Sequence, residues 1–489
     1  MIVRNALVNL LGQLTPLAAA LVFTPPLTAR LDAGQFGFLA LAWVLIGYFS
    51  LFDLGFGRSL LRLLAQHRGS ADEALLRRLS STALTITLAL GVLAGLALFL
   101  LADFICGSVL RLPPAIEPEA ATALKVLACT IPLVTVTAVL RGLLEAGQRF
   151  GWVNALRIPM GILLFAAPLV ATTRSTSLID LAASLAAVRA AAFVAHWIVC
   201  SRFYPVLTTI AAPHASAVRQ LVGYGAWVTV SNLVGPLLLY VDRFAVGALV
   251  SVAAVAFYAV PLEVVTRLWI IPAALAGVLF PVIASAPDAQ QARLQRLGMK
   301  VILIAIFPAA LAIVVFAPQW LWLWLGPEYS LHGTRIAQFL AIGVTVNCLA
   351  YVPATIIQAR GRADLMAKMH LAQVPVFLAL LATLVRLHGA EGAAIATALR
   401  CVMDAAMVFV VCGRIVPGAQ PRLRPGQIAT IVLALGALGG GMMDMDLWWK
   451  LWYFLAVMAT FAGLAWYVLL DPSERNRARD PLALLMART

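Results

Sequence analysis

The sequence predicts an all-α polytopic membrane protein with about fourteen transmembrane helices. The expected arrangement is two parallel-repeat six-helix lobes around a central cavity, plus two C-terminal helices. Three observations carry this prediction. The 489-residue chain is 63% hydrophobic and 11% charged, with a mean hydropathy of +0.96, whereas soluble domains are about 45–50% apolar and about 25% charged. Apolar stretches of the length that crosses a bilayer, about 20 residues, recur along the whole chain. Short apolar-basic strings recur at a nearly fixed offset.

The spans read in order as roughly 5–27, 36–61, 79–102, 124–144, 153–173, 178–200, 221–248, 254–283, 299–325, 334–357, 369–387, 391–413, 426–443 and 447–470. The first resembles a secretory signal. Its apolar part is too long, however, and no small-residue cleavage site precedes polar sequence, so it reads as a spanning helix. Unbroken apolar runs exclude a β-barrel, whose strands alternate. Prolines at 25, 26, 132, 159, 168, 236, 261, 272, 308, 353 and 375 fall inside spans. Each removes an intrahelical hydrogen bond, and that density favours a bundle that moves.

Basic residues set the orientation. One set of loops and both termini hold about 23 Arg and Lys against about 7 on the other side, which places both termini in the cytoplasm. The same rule accounts for the net charge of +14 without nucleic acid. Cys106, Cys129, Cys200, Cys348, Cys401 and Cys412 show neither metal spacing nor a disulfide framework.

"LEAGQR" (144–149) ends the fourth span and "IQARGR" (357–362) the tenth; "CSRFYP" (200–205) ends the sixth and "CGRIVP" (412–417) the twelfth. Arg189 and Arg400 stand at a matching offset. Six spans separate each pair, so the halves share one orientation, as in a parallel repeat. The expected division is an N-lobe over 1–205, a linker over 206–220, a C-lobe over 221–417, two extra helices over 418–470 and a cytoplasmic tail over 471–489.

Ionisable residues at membrane depth are costly and mark bundle interiors or wet cavities. By helical rise, Glu263, Arg400, Asp404 and Arg189 lie roughly 14, 12, 18 and 16 Å into their spans, with Arg267 one turn beyond Glu263. Glu263–Arg267 and Arg400–Asp404 are spaced i,i+4, so each can pair along its own helix. Arg189 has no acid in reach on its helix. Asp242–Arg243 reads as an interfacial pair. In "LFDLGFGRSLLR", Asp53 needs a partner from another helix, Arg141 being one candidate, and Arg58 lies near the inner surface. The chain has no Walker loop, H-E-x-x-H, G-x-S-x-G or dinucleotide fingerprint.

The stretches "LDAGQFGFLALAWVLIGYFSLFDLGFGRSLLR", "LEAGQRFGWVN", "YGAWVTVSNLVGPLLLYVDRFAVGALVSVAAVAFYAVP" and "WLWLGPEY" resemble the bacterial polysaccharide-biosynthesis membrane proteins. These are the lipid-linked oligosaccharide flippases for O-antigen and capsule units, in one superfamily with the multidrug and toxic-compound extrusion transporters. The resemblance implies a bacterial inner-membrane transporter rather than an enzyme. It would move an undecaprenyl-diphosphate-linked sugar by alternating access, without cofactor, alongside polysaccharide polymerase and export proteins. Arginine forks suit a diphosphate, so Arg189, Arg267 and Arg400 become expected head-group contacts, with Arg58 and Arg141 for loading. Asp53, Glu263, Asp404, Asp242 and Arg243 become gating or ion-coupling candidates, toward an H+ or Na+ gradient. The first span lacks the acid of drug-extrusion members and the basic-acidic pair of peptidoglycan-precursor flippases. An ion-coupled drug or metabolite antiporter on the same scaffold is the alternative. A membrane glycosyltransferase or ligase is disfavoured by the short outside loop near 103–123.

Overall fold

The structure, a computed structural model, describes residues 15, 16, 18–50, 73–147, 149–204, 237–416, 425–471 and 475. Asp53, Arg58 and the 206–220 linker lie outside the described residues. The described residues are mostly helical, with no strand among them, and the described part of each of the fourteen predicted spans holds a helix.

In chain order these are α1 (Ala18–Thr28), α2 (Ala33–Ser50), α3 (Glu73–Phe104), α4 (Glu117–Ala146), α5 (Phe150–Ala171) and α6 (Leu178–Phe203). Next come α7 (237–249), then α8 (Val252–Thr266), α9 (Ile270–Ser285), α10 (Asp288–Val315), α11 (Ala317–Leu325), α12 (Pro327–Leu349) and α13 (Tyr351–Ala359). Last are α14 (Ala363–Ile415), α15 (Pro425–Gly440) and α16 (Leu447–Leu464). Within α14, Gly389 at φ 59° turns the chain, so this element is two antiparallel spans. Positive φ is what glycine permits at no steric cost.

Three predicted spans are broken. A 3₁₀ turn, Arg267–Trp269, separates α8 from α9. Pro272 cannot donate to the carbonyl of Leu268 inside that turn, and its ring crowds that carbonyl. Pro353 does the same to Leu349, where α12 ends and α13 begins. The predicted 299–325 span is α10, which begins earlier at Asp288, followed by the separate short helix α11. Pro318 lies in the first turn of α11, where its missing N–H costs nothing.

The chain divides into two compact units, Met1–Ala259 and Val260–Thr489. In the first, α3, α4 and α6 converge on Leu140, Leu143, Leu144, Val139 and Cys200, all fully buried. Lipid tails are as apolar as leucine, so close packing and polar links hold membrane helices together rather than the hydrophobic effect. Leu93 and Leu100, by contrast, are 62% and 68% exposed and face outward from the bundle. In the second unit Gly343 of α12 lies against the backbone of Ala398 in α14, an approach any side chain at 343 would block.

The two sequence repeats fold into the same turn. Gly147 N–H donates to Leu143 O at 3.0 Å and Arg149 N–H to Leu144 O at 2.9 Å; Arg360 donates to Ile356 O at 3.1 Å and Arg362 to Ile357 O at 3.1 Å. Tyr204 N–H closes on Cys200 O at 2.7 Å, and Val416 on Cys412 O at 3.0 Å.

A polar knot ties helix ends in the second unit. Arg360, at the end of α13, donates to Gln291 Oε1 at 2.8 Å, to Ile415 O at 2.9 Å and to Asp288 Oδ1. Gln291 in turn donates to Ile283 O and Ala286 O, each at 3.0 Å. The terminal carbonyls of α9 and α14, which have no helical partner, are thereby satisfied.

Candidate functional site

A cavity of about 250 Å³ opens in the first unit among α4, α5, α6 and Pro16. Helical periodicity builds its walls. Val134, Thr137, Ala138 and Arg141 lie on one face of α4; Val153, Arg157, Met160 and Leu164 on one face of α5; Arg189, Ala192 and His196 on one face of α6. Gly161 lies against Pro16, where a side chain would collide.

Three guanidinium groups thus line one small space. Among the described residues the lining holds no carboxylate. Arg141 meets Glu145 one turn along its own helix, at a loose 3.8 Å. Arg189 Nε is closed off from solvent and has no hydrogen-bond partner among the described residues. His196 is 6% exposed, and its Nδ1 lies 2.8 Å from Ala192 O. A carbonyl only accepts, so Nδ1 carries the proton, which leaves Nε2 as an acceptor in the neutral ring. Like charges packed this way repel and are costly without an anion between them.

A second cavity, about 390 Å³, opens in the second unit among α9, α12, α13 and both halves of α14. Asn347, Tyr351, Thr355 and Gln358 run down one side, and His370 and Asp404 face them. Asp404 accepts from Asn347 Nδ2 on one oxygen and Gln373 Nε2 on the other, both at 2.8 Å. His370 Nε2 stands 3.8 Å from the same carboxylate.

The cavities occupy equivalent places in the repeat. At the 213-residue offset of the turns, Val134 matches Asn347, Ala138 matches Tyr351, Arg141 matches Ala354, and Arg157 matches His370. At the 212-residue offset, Ala192 matches Asp404 and His196 matches Val408. The frame is kept and the polarity is reversed at each of these positions except Arg157 and His370.

The chain matches the sequence profile of the family described as polysaccharide biosynthesis protein over residues 2–286, more than half its length. The chain belongs to that family. A protein of Shigella flexneri described as an O-antigen transporter is 28% identical over 410 residues, covering 83% of this chain and 96% of its own. Two solved structures share the fold at low identity. An inward-facing multidrug resistance MATE family transporter of the MOP superfamily matches at TM-score 0.69 and 12% identity, over 84% of this chain and 96% of its own. The lipid II flippase MurJ, in an inward closed conformation, matches at 0.63 and 11%, over 96% and 100%.

In this polysaccharide biosynthesis protein the residues predicted from sequence separate. Arg189 and Arg141 share the first cavity, and Asp404 lines the second. Arg267 pairs with Glu263 at 2.7 Å, as its spacing predicts, at the start of the 3₁₀ turn and outside both linings. Arg400 does not pair with Asp404. Its guanidinium stands 5.4 Å from the Phe377 ring centroid, and one nitrogen lies 3.7 Å from Cys401 Sγ. Neutral amides have taken the acid that i,i+4 spacing assigns to it. Asp242 and Arg243 are 1% and 4% exposed, buried within the first unit. The Tyr258 hydroxyl donates to Asp242 Oδ2 at 2.6 Å, and the Arg243 backbone N–H to Oδ1 at 2.8 Å. Arg157 and His196 had not been expected at the site. His196 follows Arg189 by two helical turns, a spacing visible in the sequence.

Proposed function

We propose that the chain is a flippase. It carries an undecaprenyl-diphosphate-linked oligosaccharide from the cytoplasmic to the outer leaflet by alternating access, for cell-surface or exopolysaccharide synthesis. It does so in the bacterial inner membrane, with both termini in the cytoplasm. The observation that carries this reading is the convergence of Arg141, Arg157 and Arg189 on one cavity whose lining, among the described residues, has no carboxylate.

A diphosphate supplies the missing negative charge, and planar guanidinium groups bind its oxygens in pairs. Arg141 lies about 8 Å by helical rise from the end of α4, and Arg189 about 21 Å from the end of α6. With those ends cytoplasmic, the cavity offers a head group successive cations from the inner surface inward. The polyprenyl tail stays in lipid. Among solved relatives of this fold is the lipid II flippase MurJ, whose named cargo is also lipid-linked. A cation-selective drug antiporter fits less well, because like charge repels a cationic drug from three arginines.

The test is transport of a fluorescent undecaprenyl-diphosphate glycan in proteoliposomes. Losing one charged hydrogen bond, about 1.5–3 kcal/mol, weakens head-group binding about 10- to 150-fold. Arg189→Ala is therefore expected to abolish transport and Arg189→Lys to restore part of it. Full transport by Arg189→Ala and by Arg157→Ala would overturn the reading.

A further inference from the structure

The second cavity keeps the frame of the first and loses its cations, so it serves a different part of the cargo. The geometry points to a binding site for one uncharged, hydroxyl-rich ring, a sugar of the glycan, on Asp404, Asn347, Tyr351, Thr355 and Gln358. This rests on the flippase reading.

Three features argue for a polyol. First, Asn347, Tyr351, Thr355 and Gln358 form a polar stripe at helical spacing across the Pro353 break. At the 213-residue offset the counterparts of Asn347, Tyr351 and Thr355 are Val134, Ala138 and Gly142, while Gln358 matches Glu145, so the first three polar positions belong to the second half of the chain. It mixes donors and acceptors, as hydroxyl groups require and as a phosphate, which only accepts, does not.

Second, Asp404 is held by two amide donors from different helices, Asn347 of α12 and Gln373 of α14. Each carboxylate oxygen accepts one of these bonds and keeps a lone pair. A carboxylate so fixed is a rigid acceptor that suits sugar hydroxyls. Thr355 Oγ1 spends its proton on Tyr351 O at 2.7 Å and is left an acceptor.

Third, the size is right. At about 390 Å³ the space falls at the small end of ligand pockets, about 300–1,000 Å³, which suits one ring rather than a chain. Its charged or titratable lining is His370 and Asp404, with Tyr351. Among the described residues no group of three metal-ligating side chains forms.

The test is saturation-transfer NMR on the full-length protein in nanodiscs, with a panel of methyl glycosides of common bacterial hexoses, deoxyhexoses and N-acetylhexosamines. The expected result is transfer to at least one glycoside. It should fall at least tenfold in Asp404→Asn, and again in Gln358→Ala, whose side chain is exposed and whose loss leaves the fold intact. Arg189→Ala should keep glycoside transfer while losing inorganic diphosphate binding. That pattern separates the two sites: diphosphate failure alone sinks the flippase reading, and glycoside failure alone sinks this one. No transfer to any glycoside, transfer unchanged in both cavity variants, or sodium or proton binding in place of sugar would each overturn the assignment.

Discussion

Replacing Arg360 by Ala tests the polar knot of the second unit. The guanidinium makes three hydrogen bonds, to Gln291, Ile415 and Asp288. Its side chain is 22% exposed and that of Asp288 50%, so solvent screening reduces the ion-pair share. The aspartate contact then contributes under about 1 kcal/mol. The two neutral acceptors contribute about 1 kcal/mol each, and Gln291, 4% exposed, loses a partner for a buried oxygen. The total is about 3 kcal/mol. For a unit of this size about 1 kcal/mol moves the melting temperature by about 2–4 °C, so a drop of about 6–12 °C is expected. Intrinsic tryptophan fluorescence in nanodiscs would read it. Arg360→Lys keeps the charge but lacks the planar fork that spans the three acceptors, and should recover only part of this. A melting temperature within about 2 °C of wild type for Arg360→Ala would refute the claim that this residue ties the helix ends.

Gly343→Leu is expected to disrupt the second unit by at least the cost of overpacking, about 1–3 kcal/mol, because its side chain meets the Ala398 backbone; size-exclusion chromatography would show aggregation. Tyr258→Phe leaves buried Asp242 Oδ2 short of a 2.6 Å donor and should cost about 1–3 kcal/mol, read by thermal unfolding. Arg157→Ala should weaken inorganic diphosphate binding without lowering stability, since it relieves repulsion from Arg141 and Arg189; a fall in melting temperature would argue against an anion site. Diphosphate affinity should also decline as salt rises, which titrations at two ionic strengths would check.

Much of the fold was legible because apolar length and proline are local signals. The breaks at Pro272 and Pro353 follow from which carbonyl each proline leaves unpaired. Glu263–Arg267 was legible for the same reason, since one turn of helix settles the geometry. Asp404 was not, because its partners are amides on other helices, and a search for opposite charges passes over Asn347 and Gln373. Arg157 reads in sequence as one more basic residue near a helix end. Only the register of the repeat, which makes it the counterpart of the cavity-lining His370, marks it in the sequence.

The knot at Arg360 has a mechanical consequence. Helix ends joined through one guanidinium travel as a block, so sliding α9, α10, α13 or α14 past one another would break several bonds at once. A transport cycle therefore has cheaper places to bend. The three residues from Arg267 to Trp269, already wound tighter than their flanks and freed of one bond by Pro272, form such a joint. It lies inside the second unit, beyond the division that falls within α8. Stiff blocks with a soft joint between α8 and α9 are what a carrier needs to change shape without loosening its binding sites.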